Sequence, residues 1–186
     1  MKYIHNLEAL SGSFDAILCD AWGVIHNGVL AHEPAVAALA KIHSRDIPVI
    51  ILTNAPRTQA QLRIHFEAMG VDASIYDHIV SSGEVGRDIL LKSDARHCYH
   101  LGPEIDKELF RHTNIELVTD PKYAEIIFNS GLRDNAREQS PYYIHELRNL
   151  LDHELSMICV NPDKHVHIGN DQRDCAGKLA EIYQSM

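Results

Sequence analysis

The feature that most constrains the fold is a pair of apolar runs, each ending in a polar residue, with a helix-like stretch between them. Phe14–Cys19 reads FDAILC and ends at Asp20, and Ile47–Leu52 reads IPVIIL and ends at Thr53. Residues 34–44 place apolar side chains at helical spacing between the two runs. Asp20 and Thr53 are 33 residues apart, the length of one β-α-β unit. Runs this apolar suit parallel strands covered on both faces, so the sequence predicts an α/β fold.

The same alternation continues to the end of the chain. A helix is predicted from Pro56 to Gly70, a short strand at Ile79–Val80 and a further helix over Glu84–Leu91, which begins with a capping-box pattern. After Lys92 the apolar runs shorten, and a second α/β unit is predicted, with strands at 97–101, 115–118, 124–128 and 157–160 and helices at 103–112, 141–152 and 174–185. The expected division is therefore a first domain at residues 1–87 and a second at 88–186.

Composition narrows the classes of function and location. Seventeen Lys and Arg residues against 26 Asp and Glu give a formal net charge of -9, which argues against a nucleic-acid-binding surface. No apolar run is long enough to span a membrane, and the first residues lack the apolar core of a signal peptide. The four cysteines are scattered without a C-x-x-C pair, as expected of free thiols in a reducing cytosol. A cytoplasmic protein is therefore expected.

Polar residues at the two strand ends form the candidate site. Ligands of parallel α/β sheets bind beyond the carboxyl ends of the strands, and Asp20 and Thr53 both lie there. Ala21-Trp22-Gly23 follows Asp20, and a glycine turn can direct its amide groups at an anion. A hydroxyl at Thr53, together with the amides of the helix start that follows, suits a phosphate group. The two strand ends thus supply a carboxylate nucleophile and a phosphate-binding site.

These motifs resemble those of a known family. The segments FDAILCDAWGVI and IPVIILTNAPR, followed by a long α/β insertion, resemble the haloacid dehalogenase (HAD) superfamily of phosphohydrolases, in its NagD-like branch with a large α/β cap. Asn161-Pro162-Asp163, after the apolar MICV, resembles a motif that recurs in that cap. The resemblance extends over essentially the whole chain. It implies a HAD-like Rossmannoid parallel sheet, present as a partial core, with an inserted α/β cap domain.

The resemblance also implies a role for each matching residue. Asp20 would attack phosphorus and form an aspartyl-phosphate, and would ligate Mg²⁺ together with the main-chain carbonyl of Trp22. Thr53 and the main chain of Asn54, Ala21 and Gly23 would bind the phosphate. Asn161 and Asp163 would belong to a cap that closes over the substrate and excludes water, and Arg57 is a candidate for binding an anionic substrate. Asn161-Pro162-Asp163 is also well explained as a simple turn, and Arg57 as a solvated helix residue.

The sequence departs from the family pattern in two ways. Most phosphatases of this superfamily carry a second aspartate two residues after the nucleophile, where it serves as general acid and base; here that residue is Trp22, in a D-x-W-G variant. The family also continues past the cap into a second half of the core, with a lysine and further aspartates, and no G-D-x-x-x-[TS]-D pattern occurs in these 186 residues. Without that half, Phe14–Cys19 is expected to be an apolar edge strand that a second copy or a partner chain covers.

Two functions of different classes remain open from the sequence. The favoured one is a Mg²⁺-dependent phosphohydrolase that acts on a small phosphorylated metabolite through an aspartyl-phosphate. The competing one is a truncated, catalytically weak or inactive remnant that acts as a phosphate- or protein-binding module. A dinucleotide-binding domain is a weaker third interpretation, because no G-x-G-x-x-G follows any predicted strand.

Overall fold

The computed structural model describes residue 12, residues 14–168 and residues 171–186, and the described chain divides into two compact units. Unit 1 combines the chain up to Thr53 with Gln59–Val80. Unit 2 combines Asn54–Thr58 with Ser81–Met186. The predicted boundary after residue 87 stays a prediction.

Unit 1 is built on a parallel sheet. Its strands are β1 (Ile17–Asp20), β2 (Val49–Thr53) and β3 (His78–Ser81, of which the last residue belongs to unit 2), in the order β1-β2-β3. The helices are α1 (Glu33–His43) and α2 (Gln59–Ala68). β1 and β2 pair in the register Ile17↔Val49 to Asp20↔Leu52, which confirms the predicted β-α-β unit.

Among the described residues, one face of this sheet is buried and the other is partly exposed. The covered face and the helices bury a set of apolar side chains that includes Leu39, Ile42, Val49, Ile51, Leu62, Phe66 and Ile79. On the opposite face, Leu18 is 67% exposed, Val80 42% and Leu52 37%. Within the described residues β1 is an edge strand, as the sequence predicts. Parallel sheets ordinarily bury both faces, so this surface is unusual for its type.

Unit 2 contains a four-stranded parallel sheet. The chain enters it through α3 (Ser82–Lys92), whose predicted capping is confirmed by Ser81 Oγ accepting from the Glu84 amide at 3.1 Å. The strands are β4 (His97–Leu101), β5 (Glu116–Val118), β6 (Ile126–Asn129) and β7 (Ser156–Cys159), in the order β5-β4-β6-β7. α4 (Ile144–Asp152) connects β6 to β7, and α5 (Ala176–Ser185) ends the chain.

Two apolar clusters cover the two faces of this sheet. One contains Tyr99, Leu101, Ile127, Leu132, Tyr143, Leu147, Leu150, Leu155 and Leu179. The other contains Leu90, Cys98, Leu109, Phe110, Phe128 and Val160. Tyr99 and Cys98 are neighbours on β4 yet belong to opposite clusters, as the alternation of side chains along a strand requires. The second unit is therefore an α/β layer structure with its own core.

The structure differs from the predicted elements in two places. The helix predicted at 103–112 is present as a shorter 3₁₀ helix over Glu104–Phe110. An antiparallel hairpin of β8 (His165–Ile168) and β9 (Asp171–Asp174) precedes α5, and the sequence of β9, DQRD, carries no apolar alternation that would predict a strand. None of the helices in the described part of the chain combines the length and the apolar composition needed to cross a membrane.

Candidate functional site

Asp20 occupies the carboxyl end of β1 and is exposed to solvent. The β1–β2 register places it opposite Leu52, so Thr53 lies one residue further along β2, at the same edge of the sheet. One oxygen of the Asp20 carboxylate accepts a hydrogen bond from the Ala21 amide at 2.8 Å. The structure thus brings the two predicted strand-end residues to one edge of unit 1.

The loop after Asp20 is held together by its own amides. Gly23, at φ +77°, donates its amide to the His26 carbonyl at 2.7 Å, and the Ile25 amide donates to the Ala21 carbonyl at 2.8 Å. The Ala21 amide donates to the Leu52 carbonyl at 3.2 Å as well as to Asp20. Both amides that were expected to face a phosphate are therefore engaged within the protein in this structure. Their role in binding phosphate stays a prediction.

The Trp22 indole packs along its own loop. It meets the His26 ring edge-on, with the two ring centroids 5.2 Å apart. A Cβ on Gly28 would lie 2.3 Å from Cη2 of the indole, and Gly28 has φ +86°, so only glycine fits beneath the ring. Trp22 therefore has a packing role in this loop and offers no acid or base.

His26 shapes this loop, and sequence reasoning did not single it out. The side chain is buried, and its Nδ1 accepts the Gly28 amide at 3.0 Å. Burial, followed by the charges of His65 and His32, lowers the pKa of His26 to about 4. The imidazole is consequently neutral near pH 7, as its acceptor role at Nδ1 requires. Among 13 histidines in the sequence, no pattern marks this one.

Three further predicted residues come together within unit 2. The Asn54 amide group donates to both carboxylate oxygens of Asp163, at 3.2 and 3.1 Å. The Asp163 amide donates in turn to Oδ1 of Asn161 at 3.1 Å, which closes an Asx turn around Pro162. Asn161 thus has the turn role that its sequence allows, and Asp163 orients the side chain that follows Thr53.

Arg57 does not join that chain of hydrogen bonds. Its backbone carbonyl accepts from Ser81 Oγ at 2.6 Å, and its side chain lies 4.0 Å from Asp106, measured from Nε to Oδ1. Asp106 is buried, and no sequence pattern pointed to it.

The donor set at Asp20 bears on whether the site can hold a divalent metal. In the described residues there is no group of three or more His, Cys, Asp or Glu side chains that could hold an ion. Magnesium, however, is commonly held by one or two carboxylates, with substrate phosphate and water completing the shell. The exposed carboxylate of Asp20 suits that kind of incomplete protein site, and the role of the Trp22 carbonyl as a second ligand stays a prediction.

Comparisons with known proteins identify the family of the chain. A sequence profile described as haloacid dehalogenase-like hydrolase matches residues 17–116. A solved structure of a haloacid dehalogenase-like family hydrolase from Brucella suis 1330 is 34% identical, with a TM-score of 0.93 over 99% of this chain and 70% of that one. No curated protein sequence matches the chain.

Two more distant structures share the fold. NagD from E. coli K-12 is 20% identical, with a TM-score of 0.64 over 92% of this chain and 65% of that one. A glycerol phosphate phosphatase from Mycobacterium tuberculosis, in complex with calcium, is 15% identical, with a TM-score of 0.71 over 95% of this chain and 51% of that one. The chain therefore spans between about half and seven tenths of the length of these structures.

Proposed function

Because the chain belongs to the haloacid dehalogenase-like hydrolase family and is NagD-like, we propose that it is a phosphohydrolase of small phosphorylated metabolites. The observation that carries this proposal is the exposed carboxylate of Asp20 at the carboxyl end of β1, with Thr53 at the same edge of the sheet. Both residues lie in the stretch that the family profile matches. The phosphatase among the structural relatives supports the same class of reaction.

The proposed chemistry proceeds in two displacements at phosphorus. A carboxylate oxygen of Asp20 attacks the phosphate ester, the bond from phosphorus to the alcohol oxygen breaks, and the alcohol leaves with a proton from solvent. Water then attacks the aspartyl-phosphate, which releases inorganic phosphate and restores the carboxylate. The Thr53 hydroxyl and the main-chain amide of Asn54 hold the phosphate oxygens, while the side-chain amide of Asn54 donates to Asp163.

Magnesium is the proposed cofactor. Asp20 and the Trp22 carbonyl would hold it, and when bound it supplies positive charge that offsets the charge of the phosphate. A structural relative was solved with another divalent cation, calcium.

A second function keeps support from the structure. The amides of Ala21 and Gly23 donate within the protein, and the Trp22 side chain can neither give nor take a proton. The lack of an acid at Trp22 favours a protein with little or no turnover, which binds phosphate through Thr53 or binds a protein partner. The engaged amides of Ala21 and Gly23 leave fewer donors for a phosphate. The two functions share a fold and differ in whether Asp20 acts as a nucleophile.

The experiment that separates them compares p-nitrophenyl phosphate hydrolysis by the parent, Asp20→Asn and Asp15→Asn across a Mg²⁺ series. For the enzyme, we expect Mg²⁺-dependent turnover that Asp20→Asn abolishes and that the control at Asp15, an exposed carboxylate nearby, retains. Turnover that survives in Asp20→Asn contradicts the proposed nucleophile. Absence of turnover in the parent, with orthophosphate binding measured by calorimetry, supports the binding module.

The exposed sheet face of unit 1 is proposed to bind another polypeptide. Three tenths of the Brucella relative has no counterpart in this chain, and Leu18, Leu52 and Val80 expose an apolar surface beside the open edge of β1. The proposed occupant is a segment equivalent to that part of the relative. Sedimentation tests this proposal when the chain is run with and without the corresponding segment of the relative. Self-association of the chain alone would indicate a homodimer instead.

Cytoplasmic localisation remains part of the proposal. All four cysteines are free thiols, and burial raises the pKa of Cys98 to about 12 and that of Cys175 to about 11. Unpaired thiols are ordinary in a reducing compartment. Fractionation of cells that express the protein would test this location.

A further inference from the structure

The strand order of unit 2 defines a switch point. In the order β5-β4-β6-β7, the chain leaves β4 toward β5 on one side and leaves β6 toward β7 on the other. All three pairings in this sheet are parallel. In open parallel sheets, ligands bind outside the carboxyl ends of the two strands where the order reverses, which here are β4 and β6.

The two connections also cover opposite faces of the sheet. The 3₁₀ helix Glu104–Phe110 follows β4 and contributes Leu109 and Phe110 to the cluster that contains Phe128. α4 follows β6 and contributes to the other cluster. Because the connections diverge, the ends of β4 and β6 form the switch point at which open parallel sheets bind their ligands.

Polar side chains gather at that place. Leu101 pairs with Asn129 at the end of the two strands, and the Ser130 amide donates to the Leu101 carbonyl at 2.8 Å. Oγ of Ser130 lies 2.9 Å from Nε2 of His100. A Cβ on Gly102 would lie 1.9 Å from Oγ of Ser130, so a larger residue here would displace that hydroxyl. Burial, followed by the charges of Lys107 and Arg133, lowers the pKa of His100 to about 4, and the ring is neutral.

Asp106 lies beside this pair and lacks hydrogen-bond partners. It comes from the 3₁₀ helix after β4 and is 1% exposed, and neither carboxylate oxygen has a hydrogen-bond partner in the structure. Arg57 Nε is 4.0 Å from its Oδ1, which is too long for a hydrogen bond. Burial raises the pKa of Asp106 to about 6, although the nearby Ser130 hydroxyl and Arg57 act in the opposite direction. Buried carboxylates are almost always hydrogen-bonded, so this one calls for a donor.

The spacing and the charges indicate which group that donor belongs to. A single oxygen can make two ordinary hydrogen bonds across 4.0 Å, accepting from Arg57 and donating to Asp106. A hydroxyl group does both. An ammonium group would be repelled by the arginine, and a carboxylate or phosphate would be repelled by Asp106.

We propose that the switch point of unit 2 is a binding site for a hydroxylated small molecule, a sugar or polyol, with one hydroxyl between Arg57 and Asp106. The Arg57 side chain is 36% exposed, so it reaches solvent while its Nε lies 4.0 Å from the buried carboxylate. The Arg57 carbonyl accepts a hydrogen bond from Ser81 Oγ at 2.6 Å, which anchors its backbone. Every residue of this site belongs to unit 2, and the site does not depend on the proposed chemistry at Asp20.

The test measures binding of glycerol, ribose and glucose to the full chain by saturation-transfer NMR and calorimetry. The variants are Asp106→Asn, Arg57→Gln and the control Glu104→Gln, an exposed acid of the same 3₁₀ helix that pairs with Lys107. We expect saturable binding of at least one of the three by the parent and by Glu104→Gln. Losing a hydrogen bond to a charged group weakens binding about tenfold to hundredfold, and both other variants are expected to show this.

The controls keep the outcomes distinct. Melting curves establish that each variant is folded, and Arg57→Gln, a half-exposed position, serves if Asp106→Asn does not fold. Asp20→Asn is expected to bind the polyol as the parent does, whatever its phosphatase activity. The proposal is overturned if none of the three compounds binds saturably, if Asp106→Asn and Arg57→Gln bind like the parent, or if a crystal grown with the polyol holds only a water between Arg57 and Asp106.

Discussion

Asp106→Asn is expected to stabilise the protein, by an amount that grows with pH. Burial raises the pKa of Asp106 from its ordinary 3.8 to about 6, so the native state holds the proton more tightly than the unfolded chain. The contribution of Asp106 to the free energy of unfolding is therefore most favourable at low pH, and it is lost as pH rises from about 4 through about 6. A shift of roughly two pKa units corresponds to about 3 kcal/mol of unfolding free energy above that range.

Asparagine keeps the shape of the side chain and has no charge to bury, so the variant avoids this loss. We expect its advantage over the parent to be roughly 1.5 kcal/mol near pH 5 and about 3 kcal/mol near pH 8. Arg57 is not left as a buried unpaired charge in the variant, because its side chain is already 36% exposed.

Urea unfolding at both pH values, in buffer free of polyols, measures the difference. Glu104→Gln is the matched control, since Glu104 is exposed on the same 3₁₀ helix, and it should change stability by less than about 0.5 kcal/mol. An advantage of Asp106→Asn that is equal at the two pH values would refute the assignment of the cost to a buried charge. A variant less stable than the parent near pH 8 would show that the carboxylate is well paired in solution.

Further substitutions test the loops and the exposed sheet. Gly28→Ala and Gly23→Ala both strain a positive φ by about 1 kcal/mol, but only Gly28→Ala, whose Cβ would meet the indole at 2.3 Å, should shift the emission of the chain's one tryptophan. Gly83→Ala should cost about 1–3 kcal/mol in thermal unfolding, because its Cβ would lie 2.5 Å from main-chain nitrogen, whereas Gly12→Ala, with no atom within 4 Å, should cost little. Leu18→Lys, at a position 67% exposed, should lower dye binding and self-association and leave the free energy of unfolding within about 0.5 kcal/mol.

The sequence predicted those parts of the molecule that depend on local pattern. Continuous apolar runs predicted β1 and β2, and their spacing predicted that Asp20 and Thr53 would end neighbouring strands. The capping pattern at Ser81 was confirmed in the same way. These features depend on periodicity and turn chemistry over a few residues, which a single sequence displays.

The rest depends on contacts between residues far apart in the chain. Asp106 and Arg57 are 49 residues apart, and their proximity follows from packing that no local pattern encodes. Likewise, Asn54 meets Asp163 across 109 residues. The turn amides of Ala21 and Gly23 looked available in the sequence, and only the folded loop shows that both donate internally.

The position of the Trp22 ring bears directly on the proposed reaction, because it places no acid beside the departing oxygen. A general acid contributes typically 10²–10⁴-fold, and it matters most when the leaving alcohol is a poor one. p-Nitrophenol leaves as a phenolate without taking up a proton, whereas glycerol has to be protonated as it leaves. A protein that uses Asp20 alone should therefore hydrolyse glycerol phosphate about 10²–10⁴-fold more slowly than p-nitrophenyl phosphate. Trp22→Asp should narrow that ratio and Trp22→Phe should not, since only the first supplies a carboxyl group. Equal rates for the two substrates in the parent would mean that another residue donates the proton. The absence of an acid at Trp22 would then have no effect on the rate.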